Sequence, residues 1–81
     1  KFDAVVLDPP RKGCDEAVLR ATAQTNPARI VYVSCNPATL ARDVARLRKL
    51  GYVLRKARPF DMCSWTGEVE TVALLEQEKL D

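Results

Sequence analysis

The fold is decided by residues 30–43, which read IVYVSCNPATLARD. The first part, Ile30 to Val33, is a short β-branched run of the kind that forms a buried strand. Asn36 is a favoured residue for capping the start of a helix, and Pro37 suits the first helical position. The segment therefore predicts a strand that passes directly into a helix, with Cys35 at the junction.

Cys35 is a candidate nucleophile. The amides of the first helical turn are expected to point toward its sulfur, and a helix N-terminus stabilises negative charge. The thiolate is the reactive form of cysteine. Most free cysteines are small buried hydrophobic residues instead, and spacing alone leaves that alternative open.

The rest of the chain alternates strands and helices around this junction. In chain order we expect a strand over 4–7, a helix capped by Asp15 and running to about Gln24, a strand over 30–33, a helix over 37–50 closed by Gly51, a strand over 52–56, a loop over 59–67 and a strand over 69–75. This β-α-β-α-β-β order predicts an α/β fold with a parallel sheet. Since no helix separates the last two strands, the last strand is expected to be antiparallel.

Composition and length restrict the classes of protein. The chain has 81 residues, of which 47% are hydrophobic and 30% charged, which is typical of one small globular domain. No apolar run approaches the roughly 20 residues that cross a bilayer, and the amino end has no signal-peptide layout, so no membrane partner is expected. Three cysteines without a CxxC pair or any histidine match neither a disulfide framework nor a zinc site. We expect no metal and a reducing compartment.

The charge pattern says little about a partner. The net charge of +2 is too small to indicate nucleic-acid binding. A solvated helix face is the favoured interpretation, and an RNA-contacting surface the alternative, for the basic cluster formed by Arg42, Arg46, Arg48, Lys49, Arg55, Lys56 and Arg58.

Two carboxylates are further candidates for a functional site. Asp8 follows the first predicted strand, and ligands of open α/β sheets bind beyond the carboxyl ends of the strands. Pro9 and Pro10 stiffen that turn, although an Asp-Pro-Pro sequence is often only a turn. Glu70 lies in the last predicted strand, where it is either an exposed edge residue or a general base, and periodicity does not decide between them.

Three collinear motifs carry a family resemblance. They are FDAVVLDPPRKG at 2–13, VYVSCNPATLARD at 31–43, and Asp61-Met62 followed by Thr66 to Leu75. Through them the chain resembles the carboxyl-terminal part of the S-adenosylmethionine-dependent RNA 5-methyluridine (uracil-5) methyltransferases. These enzymes act on 23S rRNA or on the T-loop of tRNA. Two departures are Cys63-Ser64, where the family usually has Phe-Pro, and Glu68, where it usually has His.

The resemblance implies a role for each candidate residue. Cys35 matches the nucleophile that attacks C6 of uracil, Glu70 matches the base that removes the C5 proton, and Asp8 matches a strand-end acid of the cofactor and substrate pocket. It also implies the cofactor S-adenosyl-L-methionine, an RNA partner (rRNA favoured over tRNA), a cytoplasmic location, and the carboxyl-terminal half of a Rossmann-like class I methyltransferase sheet.

Residues 1–81 are accordingly interpreted as a carboxyl-terminal fragment of a catalytic domain. No Gly-rich turn of the type that wraps S-adenosylmethionine is present in the sequence, so we expect the isolated chain to be inactive. We also expect it to self-associate through the edge of the strand Ala4 to Leu7. Two alternatives stay open, namely a methyltransferase acting on exocyclic amines and, for the isolated chain, a noncatalytic interaction module.

Overall fold

The structure is a computed structural model that describes residues 3–63 and 68–78. It contains two helices and four strands in the predicted order. They are β1 (Ala4–Leu7), α1 (Glu16–Gln24), β2 (Arg29–Ser34), α2 (Pro37–Lys49), β3 (Tyr52–Cys63) and β4 (Glu68–Gln77). No helix in this part of the chain is long and apolar enough to cross a membrane.

The four strands form one mixed sheet in the order β1-β2-β4-β3. β1 and β2 are parallel, as the short helical crossover between them requires. β4 is antiparallel to both of its neighbours, β2 and β3, which confirms the expected direction of the last strand. Its position between β2 and β3 is new information, because the sequence pattern fixes strand direction but not strand order.

Both helices pack on one face of the sheet and enclose a single core. Leu19 of α1 and Leu47 of α2 are completely buried there. They meet alternate residues of the central strands, because successive side chains of a strand point to opposite faces. The strand and loop residues of this core are Cys14, Ile30, Tyr32, Tyr52, Ala73 and Leu75.

The opposite face of the sheet carries a second apolar surface. Val31 pairs with Val6 on one side and with Leu74 on the other, and Val33 pairs with Val72. The side chain of Val6 is 66% exposed. Within residues 3–63 and 68–78 no helix packs on this surface, which we call the bare face.

The expected loop after the third strand was placed wrongly. β3 does not stop at 56 but continues to Cys63, and Arg58, Pro59 and Phe60 remain paired with β4. Pro59 is tolerated because β3 is an edge strand, so that its missing N–H interrupts no hydrogen bond on the outer side. The remainder of the expected loop, residues 64–67, lies outside the described part of the chain.

The helix boundaries agree with the prediction to within one residue. α2 ends at Lys49 and Leu50 is its C-cap, while Gly51 has a φ of 98° that only glycine adopts easily. Asp15 occupies the N-cap of α1, but its side chain makes no capping hydrogen bond. Val18 of α1 is 45% exposed, because β1 is the edge strand and no described strand lies beyond it.

Candidate active site

Cys35 lies where β2 ends and α2 begins, and its side chain is partly exposed. The turn that carries it is fixed from both sides. The Ser34 hydroxyl accepts a hydrogen bond from the Asn36 N–H at 3.0 Å and donates one to the Asn36 carbonyl at 2.9 Å. The Asn36 side chain accepts from the Ala38 N–H at 3.0 Å, and Pro37 is the first helical residue. The predicted cap is confirmed, and it holds the cysteine in a defined position.

Glu70 reaches the same end of the sheet through the register of β4. Ser34, the last residue of β2, pairs with Thr71 of β4, so Cys35 and Glu70 each adjoin a member of this last pair. On its other side Glu70 pairs with Phe60 of β3, and it is half-buried. Two residues that are 35 positions apart in the sequence thus lie at the same end of the sheet.

Asp8 lies at this end of the sheet as well, one strand away. Leu7, the last residue of β1, pairs with Tyr32 of the parallel strand β2, so the segments that follow both strands emerge side by side. The Asp8 side chain is exposed. It lines a cleft of about 280 Å³ whose walls include Val6, Leu7, Pro9, Pro10 and Val18. The structure therefore brings all three predicted site residues to one end of the sheet.

Asp43 is a polar residue of this region to which the sequence analysis gave no role. It is completely buried. Its Oδ2 accepts hydrogen bonds from the Cys14 backbone N–H at 2.9 Å and from the Tyr32 hydroxyl. Its Oδ1 lies 3.2 Å from Arg42 Nε and 3.6 Å from Arg46 Nη1. Two arginines of the basic cluster therefore pair with a buried carboxylate rather than only covering a solvated helix face.

A sequence signal for Asp43 exists in retrospect. It lies three residues after Leu40 and four before Leu47, which is the spacing of one helix face. Both leucines pack in the core or against it. A carboxylate on the apolar face of a helix needs partners, because burying an unpaired charge is costly. Its position on that face therefore indicates that Asp43 is buried with polar or charged partners.

The Tyr32 hydroxyl, which is bonded to Asp43, and the Cys14 thiol both have raised pKa values. Burial, with the Asp43 carboxylate as hydrogen-bond acceptor, raises the pKa of the Tyr32 hydroxyl above its ordinary value. Burial and, second, the Asp43 charge raise the pKa of the Cys14 thiol. A buried thiol that resists ionisation is a poor nucleophile. Cys14 is thus a core residue, whereas Cys35 is partly exposed.

Comparison with known protein families assigns the chain to one family. Residues 1–78 match the family model described as tRNA (Uracil-5-)-methyltransferase. This match spans nearly the whole chain, and the chain belongs to that family. The resemblance given by the three sequence motifs is confirmed.

Curated relatives extend far beyond this segment. An uncharacterized RNA methyltransferase of Halalkalibacterium halodurans is 53% identical over 76 residues, which are 94% of this chain and 16% of the relative. An uncharacterized RNA methyltransferase of Gloeobacter violaceus is 57% identical over 77 residues, which are 95% of this chain and 17% of the relative. The chain spans about one sixth of the length of these proteins.

Solved structures share the fold. The Pyrococcus abyssi tRNA (uracil-54, C5)-methyltransferase in complex with S-adenosyl-L-homocysteine is 43% identical, with a TM-score of 0.79 over 93% of this chain and 18% of that one. The M1.HpyAVI–SAM complex aligns with the whole chain and 45% of its own length at a TM-score of 0.75, with 18% identity. The second likeness concerns the fold alone. The mixed four-stranded sheet is thus an α/β arrangement found in methyltransferases.

Proposed function

We propose that the protein containing this chain transfers a methyl group from S-adenosyl-L-methionine to C5 of a uridine in RNA, through a covalent adduct with Cys35. The observation that supports this most directly is the register of β2 and β4, whose last pair, Ser34 with Thr71, adjoins both Cys35 and Glu70 at one end of the sheet. Membership of the uracil-5 methyltransferase family supports the same chemistry.

In the proposed reaction Cys35 acts first. Its sulfur adds to C6 of the uracil ring, and the electron pair of the C5–C6 double bond moves to form an enolate, which makes C5 nucleophilic. S-adenosylmethionine, when bound, would supply the methyl group to C5, and the electron pair of the broken S–CH3 bond would stay with the sulfur of the leaving S-adenosylhomocysteine. Glu70 then takes the C5 proton. The electron pair of that C–H bond restores the double bond and expels the Cys35 thiolate. The nucleophile and the base are regenerated separately, so the two residues have separable roles.

The cleft beside Asp8 is suited to part of the cofactor. S-adenosylmethionine supplies an electrophilic methyl group on a positively charged sulfur. Asp8 offers an exposed carboxylate, and the prolines and Val6 offer a stiff apolar wall. In our proposal Asp8 and Pro9 form one side of the cofactor pocket.

We further propose that residues 1–81 form the carboxyl-terminal part of a class I methyltransferase domain. The bare face and the unpaired edge of β1 are the surfaces that a larger Rossmann-like sheet covers with further elements. The Gly-rich turn for the cofactor is not in this sequence, so the chain alone is expected to be inactive. The free thiols of Cys14 and Cys35 suit a reducing compartment, and the cytoplasm is the proposed location.

The function is tested with RNA that carries tritium at C5 of its uridines. Methylation at C5 releases this tritium into water, whereas methylation of an exocyclic amine does not. We expect the full-length protein to release tritium in proportion to the methyl groups incorporated. Unmodified 23S rRNA and tRNA transcripts, supplied in parallel, test the expectation that rRNA is the substrate. Methyl incorporation without tritium release would refute C5 chemistry, and no incorporation into either RNA would leave the interaction-module alternative.

The isolated chain is expected to self-associate. Among the described residues no strand pairs with the outer edge of β1, and the bare face adds exposed apolar area around Val6. Such an edge pairs readily with another chain, and a two-fold dimer satisfies both copies at once. The dimer is expected to pair the edge antiparallel or to cover it with swapped elements. Sedimentation at tens of micromolar should show dimers, and Val6→Lys should shift them toward monomers. A monomeric wild-type chain with dispersed amide spectra would contradict this prediction.

A further inference from the structure

The loop between β1 and α1, residues 8–15, is tied to helix α2 by a continuous set of hydrogen bonds. Near the start of the helix, Thr39 Oγ1 donates to the Arg11 carbonyl at 3.2 Å, and Asn36 Nδ2 donates to the same carbonyl at 3.4 Å. One turn further on, Arg42 Nη2 donates to the Lys12 carbonyl at 2.7 Å. The helix that begins directly after the proposed nucleophile therefore holds the loop that begins with Asp8.

Asp43 completes these contacts from inside the core. It accepts a hydrogen bond from the backbone N–H of Cys14, which lies two residues after Lys12 in the same loop. The same carboxylate accepts the Tyr32 hydroxyl, which anchors it to β2, the strand that leads to Cys35. Arg42 and Arg46 balance its charge. A buried carboxylate with four partners on three segments is a rigid junction, since the buried Cys14 N–H and Tyr32 hydroxyl would be left unsatisfied if it moved.

Gly13 shows how closely the loop and the helix approach each other. Its φ is 87°, and its N–H donates to the Pro10 carbonyl at 2.8 Å. A Cβ at this position would lie 2.7 Å from Asp43 Oδ2 and 3.2 Å from Thr39 Cβ, and would collide with the Arg42 guanidinium. Glycine is therefore required here both for its backbone conformation and for the lack of a side chain.

We propose that Asp43 is a positioning residue: with Arg42, Thr39 and Asn36 it clamps the loop after β1 onto helix α2 and so fixes Asp8 relative to Cys35. This inference rests on the proposed function for its effect on catalysis, although the clamp itself is a property of the described fold. Catalysis depends on such placement because the nucleophile and the pocket wall come from different segments. Along the chain, Asp8 and Cys35 are connected only through α1 and β2.

The test uses the full-length protein with two variants and a matched control. Asp43→Asn removes the charge with little change of shape. Gly13→Ala inserts a methyl group into the clamp. Gly51→Ala is the control, because Gly51 also has a positive φ but a Cβ there meets no atom within 4 Å. Both alanine variants bear a similar backbone strain, so a difference between them reports the clamp.

The first readout is independent of catalysis. Cys14 is buried and its backbone is held by Asp43, so release of the loop exposes its thiol to N-ethylmaleimide. We expect native-state alkylation of Cys14, measured by peptide mass spectrometry, to rise at least about tenfold in Asp43→Asn and Gly13→Ala. It should stay much nearer the wild-type rate in Gly51→Ala. Wild-type protection of Cys14 in both clamp variants, or equal rates in the two alanine variants, would overturn the proposal.

The second readout separates positioning from general loss of structure. We expect kcat for methyl transfer to fall about a hundredfold in the clamp variants, with a much smaller change in KM for RNA and with cooperative thermal unfolding retained. If the clamp variants lost activity only because part of the protein is unfolded, Gly51→Ala would lose the same share of active enzyme. An equal loss of activity in Gly51→Ala would therefore contradict the proposal. If the wild-type protein transfers no methyl group, the proposed function fails while the alkylation readout still decides the clamp. If Asp43→Asn does not fold, the two glycine variants decide it.

Discussion

Replacing Cys35 with alanine is expected to lower methyl transfer by the full-length protein more than about a thousandfold, because addition to C6 is the step that activates C5. The same variant should form no covalent complex with RNA that contains 5-fluorouridine. In that analogue fluorine replaces the C5 proton, and a base cannot remove it. An adduct made by the wild-type protein therefore persists on a denaturing gel. Binding of the RNA under native conditions, which Cys35→Ala should retain, separates loss of attack from loss of RNA binding.

The other cysteines provide the controls for this prediction. Cys14→Ala keeps the backbone N–H that donates a hydrogen bond to Asp43 and removes only the buried thiol. Cys63→Ala changes a residue whose side chain lies outside the described part of the structure. Both are expected to lose much less activity than Cys35→Ala and to form the adduct. An undiminished adduct in Cys35→Ala would exclude Cys35 as the nucleophile.

Replacing Glu70 with glutamine is expected to produce the opposite phenotype. Attack and methylation should proceed, but the C5 proton has no acceptor, so turnover slows by about 10²–10⁴-fold. A covalent RNA–protein complex should then accumulate on ordinary uridine RNA, without any fluorinated analogue. A gel shift that survives denaturation, together with one methyl group per trapped RNA, is the measurement.

Glu76→Gln is the matched control for the base. Glu76 lies on the same strand, six residues further on, and pairs with Arg29 at 3.5 Å and Arg55 at 3.1 Å at the far end of the sheet. The same chemical change there is expected to leave turnover near the wild-type value. Full turnover in Glu70→Gln would assign the base to another group, and Glu68 is the nearest candidate in the sequence.

Local chemistry made the segment around Cys35 predictable from the sequence. A β-branched run, an Asn cap and a Pro at the first helical position act over a few residues, and each has the expected role in the structure. The direction of β4 was predictable for the same reason, since a short connection leaves no room for a crossover. The position of Asp8 after a strand made it a candidate, and the family resemblance then gave Asp8 and Glu70 their predicted roles.

Long-range pairing was beyond the sequence pattern. The position of β4 between β2 and β3 depends on which edges are free when the sheet forms. The placement of Cys35 and Glu70 at the same end of the sheet depends in turn on that position. Pro59 was interpreted as the start of a loop because its effect on a strand depends on whether that strand lies at an edge. Asp43 was overlooked because its partners are brought to it by tertiary structure.

The interior place of β4 determines when the sheet can be completed during protein synthesis. A ribosome makes the strand that leads to the nucleophile well before the strand that carries the base. β2 and β3 have no mutual ladder in the described sheet, so each presents an open edge in the nascent chain until β4 enters between them. Pairing between such distant segments is slow compared with local helix formation. The proposed nucleophile Cys35 is therefore made early and the proposed base Glu70 late, so a nascent chain halted before β4 contains the first residue without the second.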